Sequence, residues 1–237
     1  MSSDVRFSGE ASGAFELPSR GTWTPDAIRR GMKLYAVTDS AWLRSRTLAE
    51  CVRQAIAGGA TFVQLREKHA STDELVALAA EIIPVCRAAG VPFVIDDDVE
   101  AARLSGADGV HVGQSDAACA DARRALGPNA IVGVSAQTVE QARAAQAAGA
   151  DYLGVGALIP TPTKPDAVDV TREQLIAICD AVDIPVVGIG GLNARTVEVL
   201  DGTGAAGAAV VSALFAADDV EAAAHELRAK LDGLCLA

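Results

Sequence analysis

Two cations and an amide stand two residues apart in Phe62-Val63-Gln64-Leu65-Arg66-Glu67-Lys68. In an extended chain that spacing puts Gln64, Arg66 and Lys68 on one face and Val63, Leu65 and Glu67 on the other. Strand-end charge usually lies in solvent. Here the apolar pair Val63 and Leu65 should meet covering helices, which turns the cations inward, where they need an anionic partner to offset desolvation. Carboxylates follow in Ile95-Asp96-Asp97-Asp98 and Val112-Gly113-Gln114-Ser115-Asp116. Asp98 is placed to cap a following helix, and Asp116, ahead of an Ala-rich run, could do the same. Asp97 and Asp116 together suit Mg2+, which keeps several waters and takes one or two carboxylates plus phosphate oxygens. Cations beside such a pair point to a diphosphate bridged by metal.

A second anion site is suggested further on. Gly188-Ile189-Gly190-Gly191 and Val211-Ser212 end apolar runs in Gly-rich or small turns whose backbone N–H groups could hold a phosphate. Before both, after the sixth β-like run, Thr161-Pro162-Thr163-Lys164 offers two hydroxyls and an ammonium in a loop long enough to be a lid, or simply a Pro-stiffened solvent loop. Ser135 either hydrogen-bonds a substrate or caps the helix beginning near Thr138. His69, His111 and His225 have no Ser or Cys nucleophile and acid at recognisable spacing, so a hydrolase triad is not supported, and His111 reads as a satisfied core residue.

The elements that must position these groups repeat. Eight β-like runs occur at 33–38, 62–67, 92–95, 109–112, 131–135, 152–155, 185–189 and 208–211, separated by Ala-rich segments with helical spacing and a closing Gly. The joints GGATFVQL, SGADGVHV, AGADYLGV and TGAAGAAV recur at every second unit. At about 25 residues per unit this predicts an α/β protein of one domain, a short TIM (β/α)8 barrel. An open doubly wound sheet is the rival, but no G-x-G-x-x-G follows the first strand. In a barrel, chemistry belongs at the C-terminal strand ends, where every polar group named above falls.

Composition narrows the function classes. The chain has 237 residues, half of them hydrophobic, enough to bury a large core. Gly, Asp, Arg or Pro interrupts every apolar run before the roughly 20 residues needed to span a bilayer, so no membrane partner is expected. A net charge of −11 has the wrong sign for nucleic acid. Five scattered cysteines without a C-x-x-C pair suit a reduced cytoplasmic protein. Residues 1–31 lack the order of a signal peptide and read as a disordered or loosely docked extension, with the barrel over 32–237. The oligomeric state, a homo-oligomer included, is left open.

The runs KLYAVTD, FVQLREK, DDDVEAA, GADGVHVGQSD, IVGVS, GALIPTPTK, VGIGGL and AAVVSALF, in this order over about residues 32–216, resemble the thiamine-phosphate synthase family. The resemblance implies a transferase that condenses hydroxymethylpyrimidine diphosphate with a thiazole ethyl phosphate, releasing diphosphate, with Mg2+. It implies that Gln64, Leu65, Arg66, Glu67, Lys68, Asp96, Ser135 and Lys164 hold the pyrimidine diphosphate, with Arg66, Lys68, Ser135 and Lys164 acting in catalysis. Asp97 and Asp116 would hold Mg2+, and Thr161, Pro162, Thr163, Gly191, Val211 and Ser212 the thiazole phosphate. The family often has Asn where this chain has Asp96; a carboxylate accepts but cannot donate a hydrogen bond and adds charge near the diphosphate. Two alternatives share the fold. A thiazole tautomerase carries a His just after the strand-5 Ser, where this chain has Gln137, which cannot titrate. A non-catalytic thiamine-phosphate-binding barrel would have no need of the metal and diphosphate groups.

Overall fold

The computed structural model describes residues 23–160 and 169–237. Each of the eight apolar runs forms a strand: β1 (Leu34–Val37), β2 (Phe62–Leu65), β3 (Phe93–Asp96), β4 (Gly109–Val112), β5 (Ile131–Ala136), β6 (Tyr152–Val155), β7 (Val186–Ile189) and β8 (Gly207–Val210). The helices are α1 (Pro25–Gly31), α2 (Leu48–Ala57), α3 (Thr72–Ala89), α4 (Val99–Ser105), α5 (Asp116–Leu126), α6 (Val139–Ala147), α7 (Arg172–Cys179), α8 (Ser212–Phe215) and α9 (Val220–Asp232). After β7 the connecting helix is reduced to a 3-10 turn, Val197–Leu200. Every strand runs parallel to its sequence neighbours and β8 returns to β1, with Leu34 facing Ala208, so the barrel is closed. Closure rules out the open doubly wound sheet.

Period-2 alternation divides the apolar residues into two cores. Leu34, Val63, Leu65, Phe93, Ile95, Val110, Val132 and Leu153 point outward and pack under the helices. Tyr35, Phe62, Val94, Ile131, Tyr152 and Val187 fill the barrel itself. Three inner aromatics meet edge to face or tilted: the Tyr35 and Phe62 rings are 4.5 Å apart, and Phe62 and Tyr152 5.5 Å. Gly133 makes room for them, because a Cβ there would lie 2.1 Å from the Tyr152 ring.

Helix α1 falls inside the stretch expected to be an extension. Thr24 caps it, and Ile28 and Met32 join the inner core from the N-terminal end, with Trp23 packed against them. Thr61 fastens its end, donating to the Gly31 carbonyl at 2.9 Å while accepting from Leu34 N–H at 3.0 Å. The folded body therefore begins before the boundary at residue 32, because the barrel interior needs an apolar stopper that a strand pattern does not announce. Residues 1–22 lie outside the described residues.

At the other end, four helix starts are fixed by reciprocal capping boxes: Thr47 with Glu50, Ser71 with Glu74, Thr138 with Gln141 and Thr171 with Gln174. Each satisfies two N–H groups that a helix start leaves unpaired. Backbone N–H groups of Thr47 and Ser71 hold the Glu50 and Glu74 carboxyls below the usual carboxylate range. Helices run opposite to the strands, so these caps ring the C-terminal mouth and fix the loops that line it. Among the described residues no helix is long and apolar enough to cross a membrane.

Candidate active site

The C-terminal mouth opens into a cavity of about 1120 Å³ whose walls come from the ends of all eight strands and their loops. Its floor is polar. Gln64, only 4% exposed, donates through Nε2 to the Tyr35 hydroxyl at 2.7 Å. The Tyr35 and Tyr152 hydroxyls are 2.8 Å apart, Tyr152 lies 3.0 Å from His111 Nδ1, and His111 Nε2 lies 3.0 Å from Ser135 Oγ. Burial pushes both tyrosines well above the ordinary phenol range, so they remain neutral hydroxyls.

Above this floor Arg66 and Asp96 face each other, Nε to Oδ2 at 3.3 Å, with side chains 16% and 21% exposed. The carboxylate expected to meet the pyrimidine thus also holds the guanidinium in place, and the further N–H groups of Arg66 remain for another anion. Lys68 lies past the end of β2, exposed at the cavity rim, and makes no ion pair among the described residues. Asp97 also lines the cavity; it is exposed and adopts a left-handed backbone, φ 59°, which Asp tolerates better than most residues. Its N–H donates to the His111 carbonyl at 2.8 Å, tying the top of β3 to β4. Asp98 caps α4, accepting from Ala101 N–H at 2.7 Å, and also accepts from the Thr72 hydroxyl at 2.7 Å. Ser115 takes the cap position of α5 and Asp116 is its first residue; the Asp116 side chain lies outside what the structure describes.

The opposite wall comes from β6, β7 and β8. Gly190 and Gly191 have φ of 95° and 64°, and a Cβ on Gly190 would lie 2.6 Å from Ala157. This close approach lets the loop after β6 lie against β7, with Leu158 and Ile159 N–H donating to the Ile189 and Gly190 carbonyls at 3.0 and 3.1 Å. Gly191, Val211 and Ser212 line this side of the cavity. Thr161, Pro162, Thr163 and Lys164 lie outside the described residues.

The structure therefore brings Gln64, Arg66, Glu67, Lys68, Asp96, Asp97, Ser135, Gly191, Val211 and Ser212 to one cavity. Leu65 is the exception: its side chain is wholly buried between barrel and helices, because alternation turns it outward. Glu67 borders the cavity but its carboxylate is engaged, accepting from the Thr38 hydroxyl at 3.2 Å and from Ser40 N–H at 3.1 Å, which pins the loop after β1. Ser135 caps no helix, since Thr138 takes that position in α6. His111 is more than core filling. It faces the cavity between Tyr152 and Ser135, and alternation within Gly109-Val110-His111-Val112 was the signal for its inward face. Gln137, also on the wall, directs its Nε2 toward the Gly156 carbonyl at 3.5 Å.

Among the described residues no three His, Cys, Asp or Glu are gathered to hold a metal by protein ligands alone. Mg2+ does not need such a group, since it completes its shell with water and phosphate; Asp97, which lines the cavity together with Arg66 and Lys68, offers hard carboxylate oxygens of the kind it takes.

A family model described as thiamine monophosphate synthase matches residues 34–214. A thiamine-phosphate synthase of Ruminiclostridium cellulolyticum is 49% identical over 194 residues, covering 82% of this chain and 92% of that protein. One from Chloroflexus aurantiacus is 49% identical over 198 residues, 83% of this chain and 91% of its own length. Among solved structures, a thiamine phosphate pyrophosphorylase from Pyrococcus furiosus superposes with a TM-score of 0.79 at 38% identity, covering 86% of this chain and 98% of that one.

Proposed function

The chain belongs to the thiamine monophosphate synthase family, and from that membership and the cavity at its C-terminal mouth we infer how it performs a thiamine-phosphate synthase reaction. The reaction joins hydroxymethylpyrimidine diphosphate to a thiazole ethyl phosphate. The bond from the pyrimidine methylene carbon to the diphosphate oxygen breaks, and its electron pair leaves with the diphosphate. The ring-stabilised cation is then captured by the lone pair of the thiazole nitrogen, giving thiamine phosphate. The transferred group changes partners without a protein nucleophile, so the chain's task is to neutralise the leaving charge and hold the acceptor in line.

Arg66 and Lys68 supply countercharge at the leaving diphosphate, a role that the family resemblance extends to Lys164. Gln64, Asp96 and Ser135 orient the pyrimidine. Glu67 acts by pinning the loop after β1, and Leu65 contributes through its backbone at most. Backbone groups at Gly191, Val211 and Ser212 on the far wall receive the thiazole phosphate, a role that the family resemblance gives to Thr161, Pro162 and Thr163 as well. Asp97 and Asp116 would hold Mg2+, which supplies electrostatic stabilisation of diphosphate oxygens when bound.

The observation that carries this reading is the convergence of Gln64, Arg66, Lys68, Asp97, Ser135, Gly191, Val211 and Ser212 on one cavity. Incubating the protein with both substrates and Mg2+ should release diphosphate and form thiamine phosphate, and omitting the thiazole phosphate should abolish thiamine phosphate formation. Isomerisation of the thiazole alone would favour the tautomerase instead, and tight binding of thiamine phosphate without turnover a binding barrel.

A further inference from the structure

The polar groups of the barrel floor form one unbroken line, Gln64–Tyr35–Tyr152–His111–Ser135, with successive separations of 2.7, 2.8, 3.0 and 3.0 Å. Each hydroxyl carries a single proton, and a neutral imidazole one N–H, so the direction of the first bond fixes all the others. Gln64 donates to Tyr35. The Tyr35 proton then goes to Tyr152, the Tyr152 proton to His111 Nδ1, and the imidazole keeps its N–H on Nε2, aimed at Ser135 Oγ. Ser135 accepts that bond and has its own proton left over. With Gln64 donating, running the remaining bonds the other way would leave Tyr35, fully buried, accepting on both sides with its proton unplaced.

We propose that Tyr35, Tyr152 and His111 are positioning residues that transmit the orientation of the Gln64 amide to Ser135, presenting the Ser135 hydroxyl to the cavity as a hydrogen-bond donor. The inference rests on the synthase reading for what the hydroxyl meets, an acceptor atom of the pyrimidine diphosphate; its internal logic needs only the barrel. It explains why two tyrosine hydroxyls and an imidazole occupy an interior that aliphatic side chains could fill. It also makes Gln64 and Ser135 one unit, although they stand on β2 and β5.

Two measurements test this. In protein labelled with 15N at histidine, only three imidazoles are present. The ligand-free wild type should show His111 as the Nε2–H tautomer, while Tyr35→Phe and Tyr152→Phe, which remove hydroxyls and little volume, should give a mixture. A wild-type Nδ1–H tautomer, or variants that leave the tautomer unchanged, would overturn the proposal. In the full reaction, Tyr152→Phe should lower kcat/KM for the pyrimidine diphosphate about three- to tenfold, the scale of one hydrogen bond. In a Ser135→Ala background the same change should have no further effect. Multiplicative losses would show that Tyr152 acts by packing alone and refute the relay. Wild-type protein that makes no thiamine phosphate would instead refute the synthase reading, while the tautomer measurement would still decide the line.

Discussion

The two ends of the barrel use the same residue types to opposite ends. At the N-terminal end, charge is matched within the chain: Arg123 pairs with Asp151 at 2.6 Å and donates to the carbonyls of Ala130 and Gly149, while Asp151 accepts from Val132 N–H at 2.7 Å. Asp108, almost fully buried, accepts from Phe93 N–H at 2.9 Å. At the C-terminal mouth Lys68 and Asp97 stand exposed beside the cavity, and of the two cations that follow β2 Arg66 has a carboxylate partner while Lys68 makes no ion pair among the described residues. Charge matched within the chain stabilises the fold; charge left at a cavity rim is complementary to a ligand.

Substitutions should separate the two ends. The largest effect is expected for Arg66→Ala, which should slow turnover on the order of 10² to 10³, the usual loss on removing a preorganised group at developing charge, with the melting temperature nearly unchanged. Near-wild-type turnover at saturating pyrimidine diphosphate would break the comparison at its strongest point. Ile28→Ala should do the reverse, costing roughly 2 kcal/mol or more of stability by opening a cavity under the inner core, while the Michaelis constants of the surviving folded protein stay as they were. Denaturant titration beside steady-state kinetics reads both. Arg123→Ala should follow with about 1–2 kcal/mol of lost stability, since the pair is partly exposed, and no kinetic change.

The smallest effects sharpen the assignment among the carboxylates. Asp97→Asn should raise the Mg2+ concentration for half-maximal rate, whereas Asp98→Asn should hardly move it, because Asn caps a helix about as well as Asp. Asp96→Asn should leave the Mg2+ midpoint in place while changing the affinity for the pyrimidine. A midpoint that followed Asp96 in this titration would assign the metal to the other carboxylate.

Much of this architecture is legible in the sequence because its signals are local. KLYAVT, GVHV and IVGVS alternate or run apolar over four to six residues, and the Gly that ends a helix stands just before a strand. Gln64 and Arg66 declare their face through the apolar neighbours Val63 and Leu65. What stays hidden depends on residues far apart in the chain. Helix α1 is seven residues long and acquires its purpose only from the hollow it fills. His111 looks like one core histidine until Tyr152 and Ser135, from two other strands, are seen on either side of it. The Arg66–Asp96 pair joins neighbouring strands, and the sequence offers each residue a separate ligand.

Closure of the sheet has a consequence for how the molecule comes into being. Leu34, near the start of the folded body, pairs with Ala208, near its end, so β1 spends most of synthesis as an open edge. Until the last strand has left the ribosome, both borders of the growing sheet expose unpaired N–H and C=O groups. Long-range parallel pairing is slow to form because chain entropy must be lost before the contact rewards it. The half-made barrel is therefore the species most exposed to association with its own copies, and helix α1, available from the outset, gives its interior an early apolar partner.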